Sequence, residues 1–171
     1  MQDQKQIEIR LLSDTDSLEG LTALIHRAYG QLADLGFRYW GTHQSVEDTR
    51  QRISNGECYV ALSNGQLVGT VVVNLPENTS PNPWYDNHDV TTFHQFAVDP
   101  KFQKQGIGMQ LLDVIERRAA ELGARELACD TAEGATHLIA LYKQRGFVEV
   151  GKADWGETNY ESVVLSKNLL D

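Results

Sequence analysis

The residues best suited to chemistry form a polar, glycine-bearing loop between an apolar run and a long amphipathic segment. The apolar run ends at Asp99-Pro100, and Gln103-Lys104-Gln105-Gly106-Ile107-Gly108 leads into the amphipathic segment. The first backbone N–H groups of a helix lack intrahelical partners, and the helix dipole favours an anion beside them. Lys104 adds positive charge there. The pattern therefore indicates a phosphate site, although an ordinary strand–helix turn with two glycines also fits it.

The bulk composition is typical of a globular protein, and we expect one domain over residues 1–171. Of the 171 residues, 41% are hydrophobic and 23% are charged. The 15 basic and 24 acidic residues give a net charge of −9, which disfavours nucleic acid and anionic membranes as partners. The polar start has no apolar signal region, and no run reaches the about 18 apolar residues of a membrane span. We therefore expect a cytoplasmic protein.

The cysteines and histidines give no sign of a metal site. Cys58 and Cys129 lie in separate apolar runs, which is typical of buried free thiols. The remaining histidines apart from His94 lack paired ligand spacing. No metal is therefore expected.

Apolar periodicity predicts a mixed α+β fold. Strands are predicted at 7–11, 58–62, 67–73, 92–98, 126–129, 147–150 and 160–166, with helices near 18–32, 45–55, 106–122 and 136–145. Asp14 to Ser17 supply cap candidates for the first helix, with Asp16 and Glu19 at capping-box spacing, and Ser45 to Asp48 can cap the second. Asn64-Gly65 predicts a tight hairpin, because both central residues of a type I′ turn need positive φ.

Three segments resemble the GCN5-related N-acetyltransferase (GNAT) family. Gln103 to Gly108 fits its acetyl-CoA signature Q/R-x-x-G-x-G/A, and Phe96-Ala97-Val98-Asp99-Pro100 resembles its L-x-V-x-P strand end. Ala140-Leu141-Tyr142-Lys143-Gln144-Arg145-Gly146-Phe147 is similar to its later L-Y-x-x-x-G-F segment. The three segments follow the family's order on suitable predicted elements, so the resemblance covers nearly the whole chain.

The resemblance implies a mixed sheet of about seven strands, splayed at its centre, with about four helices. Acetyl-CoA would be the cosubstrate, with its pantetheine arm in the gap between the strands. The resemblance implies that the pantetheine arm is bound by Phe96, Ala97 and Val98. It implies that the pyrophosphate is bound by Gln103, Lys104, Gln105, Gly106, Ile107 and Gly108. Many members carry Asn seven residues before the family tyrosine. This sequence has Ala135 there, so no cofactor contact is expected at that position.

Tyr142 and His94 are the predicted catalytic residues. Tyr142 matches the family tyrosine that lies near the thioester sulfur and often acts as the acid. Regular alternation would place His94 on the same face as Phe96 and Val98, and an ordinary histidine pKa near about 6.5 suits a base at neutral pH. Glu133 or water is the alternative base. Each side chain also has an ordinary structural interpretation, as a core tyrosine, a buried histidine or a helix-end charge.

The predicted function is transfer of an acetyl group from acetyl-CoA to an amine of a small molecule or of a protein or peptide. A non-catalytic acetyl-CoA sensor of the same fold is the alternative. By family analogy, two segments, 34–44 and 76–90, would flank the acceptor pocket, and the apolar segment 160–166 would allow a homodimer. The aromatic residues that could wall that pocket are Phe37, Tyr39, Trp40, Trp84 and Tyr85.

Overall fold

The computed structural model describes residues 6–75, 89–153 and 159–170. Its strands are β1 (Ile7–Leu11), β2 (Gly56–Ser63), β3 (Gln66–Asn74), β4 (Val90–Val98), β5 (Glu126–Ala132), β6 (Val148–Ala153) and β7 (Ser162–Asn168). Its α-helices are α1 (Leu18–Asp34), α2 (Val46–Ser54), α3 (Ile107–Glu121) and α4 (Thr136–Gln144). Short 3₁₀ turns lie at Trp40–Thr42 and Pro100–Phe102. The predicted α+β class and the order of its elements are confirmed.

The seven strands form one mixed sheet in the order β1-β2-β3-β4-β5-β7-β6. All neighbours are antiparallel except β4 and β5, which run parallel. These two strands pair only where Val90, Thr91 and Thr92 face Glu126, Leu127 and Ala128. Beyond that point β4 continues to Val98 and β5 to Ala132 without a ladder between them. The sheet therefore splays at its centre, as the resemblance implies.

Local signals account for most element boundaries. Ser45 caps α2 by accepting from the Asp48 N–H, and the Asp48 side chain accepts from the Ser45 N–H, which confirms the predicted cap. Asn64 and Gly65 have φ of 50° and 80°, as the predicted β2–β3 hairpin requires. At α1 the N-cap is Ser17, one of the predicted candidates, and its side chain accepts from the Gly20 N–H. The predicted capping box of Asp16 and Glu19 does not form, because the Asp16 carboxylate accepts from Arg10 at 2.7 Å instead.

Two apolar clusters cover opposite faces of the sheet. One packs α3 and α4 against the sheet, and its fully buried members include Leu111, Ile115 and Phe147. The other packs Leu21, Leu24 and Ile25 of α1 against β2 and β3. The cleft described below is therefore flanked by helices on both faces of the sheet.

A bulge in β4 changes which face each residue of that strand occupies. Thr70 faces Ala97 but Val72 faces His94, so β4 contains one extra residue between these pairs. Gln95 in that interval has φ of 56°. Phe96 and Val98 consequently face α3, whereas His94 shares the face of Val72, toward α1 and α2. The predicted placement of His94 beside Phe96 and Val98 is wrong, because regular alternation does not survive the bulge.

Strand β7 is an interior strand, paired with β5 on one side and β6 on the other. The apolar segment predicted at 160–166 therefore presents no open edge to a second copy. Cys58 and Cys129 are buried and free, as predicted. Among the residues that the structure describes, no helix is long and apolar enough to cross a membrane.

Candidate acetyl-CoA cleft

The gap between β4 and β5 opens into a cavity of about 420 Å³, within the size range of small-molecule sites. Its walls come from α1, β4, the loop before α3, β5 and α4. We distinguish a loop end, formed by Gln103, Lys104, Gly106, Ile107 and Gly108, from a tyrosine end, formed by Tyr29, Tyr39, Asp130 and Thr131. The ladder between β4 and β5 ends at Thr92 and Ala128, so Asp130 and Thr131 lie just past the point where the strands part, whereas the loop lies past Val98.

The loop end offers backbone donors. Gly106 has φ of 84° and is the N-cap of α3, and no side chain of the described residues caps this helix. The first N–H groups of α3 are consequently directed to whatever occupies the loop end. Gly108 lets the start of α3 pack closely against the ring of Phe96, because a Cβ at this position would lie 3.1 Å from the Phe96 Cζ atom. This arrangement fits an anionic group such as a pyrophosphate, held by main-chain donors.

Ion pairs and hydrogen bonds fix the base of this loop. The buried Asp99 carboxylate accepts from Arg27 Nη2 at 3.0 Å and from the Lys101 N–H at 3.0 Å. The Gln103 side chain donates to the Val98 carbonyl at 3.2 Å and to Gln31 Oε1 at 3.1 Å. Helix α1 is thus tied to both sides of the turn, so the donors at the start of α3 are held in place.

The middle of the cleft has an unpaired strand edge and a tyrosine hydroxyl. Ala97 and Val98 pair with β3 on one side, and their other side faces the gap. Tyr142 lines the cleft and packs against Phe147, with ring centroids 5.6 Å apart, and against Phe93 at 6.0 Å. Within the described ranges, no protein group hydrogen-bonds to the Tyr142 hydroxyl. Burial raises the pKa of the Tyr142 phenol well above its usual range, so it is protonated at neutral pH.

Most of the residues predicted from the sequence line this cleft. They are Phe96, Ala97, Val98, Gln103, Lys104, Gly106, Ile107, Gly108 and Tyr142. Gln105 belongs to the same loop but is not a lining residue. Lys104 has φ of 63°, an uncommon conformation for a residue other than glycine. At Lys104 the unusual backbone conformation therefore shapes the loop end, in addition to the positive charge that the side chain supplies.

His94 does not line this cleft. Its Nε2 lies 3.2 Å from the Arg52 carbonyl oxygen, which can only accept, so the neutral ring carries its proton on Nε2. Burial, and then the charge of Arg52, lowers the pKa of His94 to about 3. Proton transfer from an amine in the cleft to this ring would therefore need a bridging water.

The tyrosine end is assembled from side chains distant in sequence. Tyr39 bonds Thr131 Oγ1 at 2.6 Å and accepts from the Ala132 N–H at 2.9 Å. Its ring lies 5.5 Å from Tyr29 and 4.8 Å from Tyr160. Of the predicted acceptor aromatics, Tyr39 lines the cleft and Phe37 packs edge-on against Tyr160. Trp84 and Tyr85 lie outside the described residues.

Several cleft residues were not found from the sequence. From the sequence, Tyr29 belongs to the apolar stripe of α1, and only its hydroxyl group indicates a role other than packing. Asp130 and Thr131 follow a short apolar run whose strand was predicted to end at residue 129, but β5 extends to Ala132. The alternative base Glu133 is exposed and pairs with Lys152 at 3.4 Å.

Comparison with known proteins agrees with this geometry. The family model described as "Acetyltransferase (GNAT) family" matches residues 22–147. The chain belongs to the GNAT family. It is an N-acetyltransferase that uses acetyl-CoA, and the sequence-based prediction of an enzyme is confirmed.

Individual relatives of this GNAT enzyme match it over nearly its whole length. S-(2-succino)cysteine N-acetyltransferase of Bacillus subtilis (strain 168) is 30% identical over 162 residues, which cover 94% of each chain. PH1933 from Pyrococcus horikoshii OT3 has a similar fold, with TM-score 0.76, 23% identity, and coverage of 95% of this chain and 98% of that one. A GNAT acetyltransferase from Elizabethkingia anophelis, solved with acetyl-CoA bound, gives TM-score 0.68 at 22% identity, covering 95% and 97%.

Proposed function

We propose that this N-acetyltransferase acetylates the amine of a small carboxylated amino acid, with S-(2-succino)cysteine as the first candidate. The observation that supports this most is the cleft at the splay of β4 and β5, which runs from the capless start of α3 past Tyr142 to the side chains at the tyrosine end. The choice of acceptor is supported by the Bacillus subtilis relative, whose name states that substrate and which matches 94% of this chain.

In the proposal, the loop end holds the donor by its diphosphate. The N–H groups from Gln103 to Gly108 bond the pyrophosphate, with Lys104 adding a positive charge. The main-chain groups of Phe96, Ala97 and Val98 bond the pantetheine arm along the edge of β4 that faces the gap. Acetyl-CoA, when bound, supplies an acyl group activated as a thioester. The chain's own contribution at this end is therefore mostly positioning.

Tyr142 is the proposed proton donor to the leaving sulfur. As the amine nitrogen forms a bond to the carbonyl carbon and the C–S bond breaks, negative charge collects on sulfur. A thiol has a pKa near about 8.5, below that of a buried phenol, so complete proton transfer from Tyr142 is uphill. A hydrogen bond from the Tyr142 hydroxyl to the developing thiolate stabilises it without requiring that transfer.

We propose water as the first acceptor of the amine proton, which was one of the alternatives to His94. A primary amine with a pKa near about 10 is almost wholly ammonium at neutral pH, and deprotonating it costs roughly 4 kcal/mol. His94, with a pKa of about 3 and its ring on the far face of the bulge, is poorly placed to accept that proton directly. The homodimer and the cytoplasmic location stay predictions.

The test is release of free CoA thiol from purified protein. Incubation with acetyl-CoA and S-(2-succino)cysteine should release CoA at a rate well above hydrolysis, and mass spectrometry should find one acetyl group on the amine. A panel of other amino acids, polyamines and peptides with free termini serves as the comparison. Faster turnover of peptides or uncharged amines would overturn the proposed acceptor, because the proposal requires the enzyme to prefer a small carboxylated amine.

A further inference from the structure

Tyr29 is a cleft residue whose ring is held in place by packing. It belongs to α1 and lines the tyrosine end of the cleft. On one side of the ring lies Gly41, where a Cβ would be 2.5 Å from the Tyr29 Cδ2 atom, so a larger residue there would displace the ring. The ring of Tyr39 also lies beside it, with centroids 5.5 Å apart. The position of the Tyr29 ring is therefore fixed without help from its hydroxyl.

The Tyr29 hydroxyl has no hydrogen-bond partner in the part of the chain that the structure describes. The neighbouring Tyr39 hydroxyl differs, because it bonds Thr131 Oγ1 at 2.6 Å and accepts from the Ala132 N–H at 2.9 Å. Tyr142 resembles Tyr29 in having a hydroxyl without a protein partner among the described residues. The hydroxyls of Tyr29 and Tyr142 are thus both available to a ligand in the cleft.

The two available hydroxyls come from opposite faces of the sheet. Tyr142 of α4 belongs to the apolar cluster that contains α3, whereas Tyr29 packs against the cluster that contains α1. Tyr29 also lies at the end of the cleft away from the loop that is proposed to bind the diphosphate. Since the Tyr142 hydroxyl is the proposed partner of the leaving sulfur, the Tyr29 hydroxyl is left for the acceptor.

A carboxylate is the group that suits this hydroxyl best. Burial raises the pKa of the Tyr29 phenol, so the hydroxyl keeps its proton at neutral pH and can donate it in a hydrogen bond. An acceptor that displaces water from the tyrosine end leaves the hydroxyl unpaired unless it brings an accepting atom of its own. Hydrogen bonds to ionised oxygens are shorter and about twice as strong as those to neutral ones.

We propose that the Tyr29 hydroxyl donates a hydrogen bond to a carboxylate of the acceptor. This inference rests on the proposed function and names a residue that recognises its substrate. It predicts that carboxylated amines bind better than their decarboxylated analogues and that the Tyr29 oxygen atom supplies part of that preference.

The test removes the Tyr29 oxygen atom and keeps the ring. Calorimetry on Tyr29→Phe saturated with CoA should show about tenfold weaker binding of S-(2-succino)cysteine than in the unaltered protein, with acetyl-CoA affinity unchanged. Tyr59→Phe is the matched control and should leave both affinities unchanged, since the Tyr59 hydroxyl bonds Glu57 away from the cleft. The melting temperature of Tyr29→Phe should equal that of the unaltered protein, because no bond within the protein is lost. A lower melting temperature with unchanged acceptor affinity would overturn the inference.

Two analogues identify which carboxylate is bound. S-(2-succino)cysteamine lacks the α-carboxylate, and S-ethylcysteine lacks both carboxylates of the succinyl group. The analogue that lacks the bound carboxylate should have equal affinity for Tyr29→Phe and the unaltered protein, whereas the other analogue should still bind Tyr29→Phe more weakly. Weakening of all three compounds by the same factor would overturn the inference, because the lost contact would then not be to a carboxylate.

A second pair of compounds separates this inference from the proposed function. Methionine and 3-(methylthio)propylamine differ only in the carboxylate. Weaker binding of methionine alone by Tyr29→Phe, without turnover of S-(2-succino)cysteine by the unaltered protein, would contradict the proposed substrate and support the role of Tyr29. Turnover of S-(2-succino)cysteine by Tyr29→Phe with the kcat/KM of the unaltered protein would do the reverse.

A crystal structure of the unaltered protein with CoA and S-(2-succino)cysteine gives an answer even if Tyr29→Phe unfolds. A carboxylate oxygen should lie about 2.6 Å from the Tyr29 hydroxyl oxygen. A separation beyond about 3.5 Å from every carboxylate oxygen would overturn the inference.

Discussion

At the loop end of the cleft the groups that face a ligand come mostly from the backbone, whereas at the tyrosine end they come from side chains. Gly106 and the first turn of α3 present N–H groups along one continuous stretch of chain. Tyr29, Tyr39 and Thr131 come from three separate segments and are held by hydrogen bonds and ring contacts. A backbone site suits one donor common to all reactions, and a side-chain site can change with the acceptor.

The largest effect is expected where the two ends meet, at Tyr142. Tyr142→Phe should lower kcat about 100-fold, because the developing thiolate loses its hydrogen-bond donor, with acetyl-CoA affinity unchanged. Steady-state kinetics and calorimetry measure the two quantities separately. Tyr59→Phe is the control, since the Tyr59 hydroxyl bonds Glu57 away from the cleft. Full turnover by Tyr142→Phe would show that the Tyr142 hydroxyl does not assist the leaving sulfur.

A smaller effect is expected at the loop end alone. Gly106→Ala places a side chain at φ of 84°, which costs about 1 kcal/mol or more and distorts the donors at the start of α3. The dissociation constant of acetyl-CoA should rise about tenfold, with the amine KM little changed.

Gly123→Ala is the matched control for Gly106→Ala. Gly123 has φ of 89° and follows the other end of α3, and a Cβ would meet no atom within 4 Å at either glycine. Both variants should therefore lose similar stability in urea unfolding, and only Gly106→Ala should lose acetyl-CoA affinity. Equal affinity losses would show that the effect is a general one on α3.

The smallest effect on turnover is expected at His94. Because its pKa is about 3 in the folded protein and about 6.5 in the unfolded chain, the unfolded state binds a proton first as the pH falls. Stability should therefore fall between pH 6.5 and pH 3, at up to about 1.4 kcal/mol per pH unit from this group. His94→Gln should flatten that dependence in urea unfolding and leave the acidic limb of kcat/KM unchanged.

The unaltered protein is the reference at every pH, in both urea unfolding and kinetics. An acidic limb of kcat/KM that disappears in His94→Gln alone would restore His94 as the base and show that a water chain links it to the amine.

The same contrast explains what could be predicted from the sequence. Gly106, Gly108 and Tyr142 lie in short segments whose local spacing is informative, so the fold, the cosubstrate and the cleft residues of the loop end were found. The bulge at Gln95 has no local signal, because nothing in Phe93-His94-Gln95-Phe96 marks an extra residue, and the face of His94 was consequently wrong. Tyr39 and Thr131 come together only through the tertiary fold, so no spacing could join them.

Hydrogen exchange followed by mass spectrometry tests the division of the cleft most directly. Added CoA should slow exchange in peptides covering 96–98 and 103–109, because the first N–H groups of α3 gain a partner, and should leave the segment 37–42 around Tyr39 unchanged. Subsequent addition of S-(2-succino)cysteine should slow exchange in that segment and in β5 around Thr131. Protection of the segment 37–42 and of β5 by CoA alone, with no change at 103–109, would contradict the account.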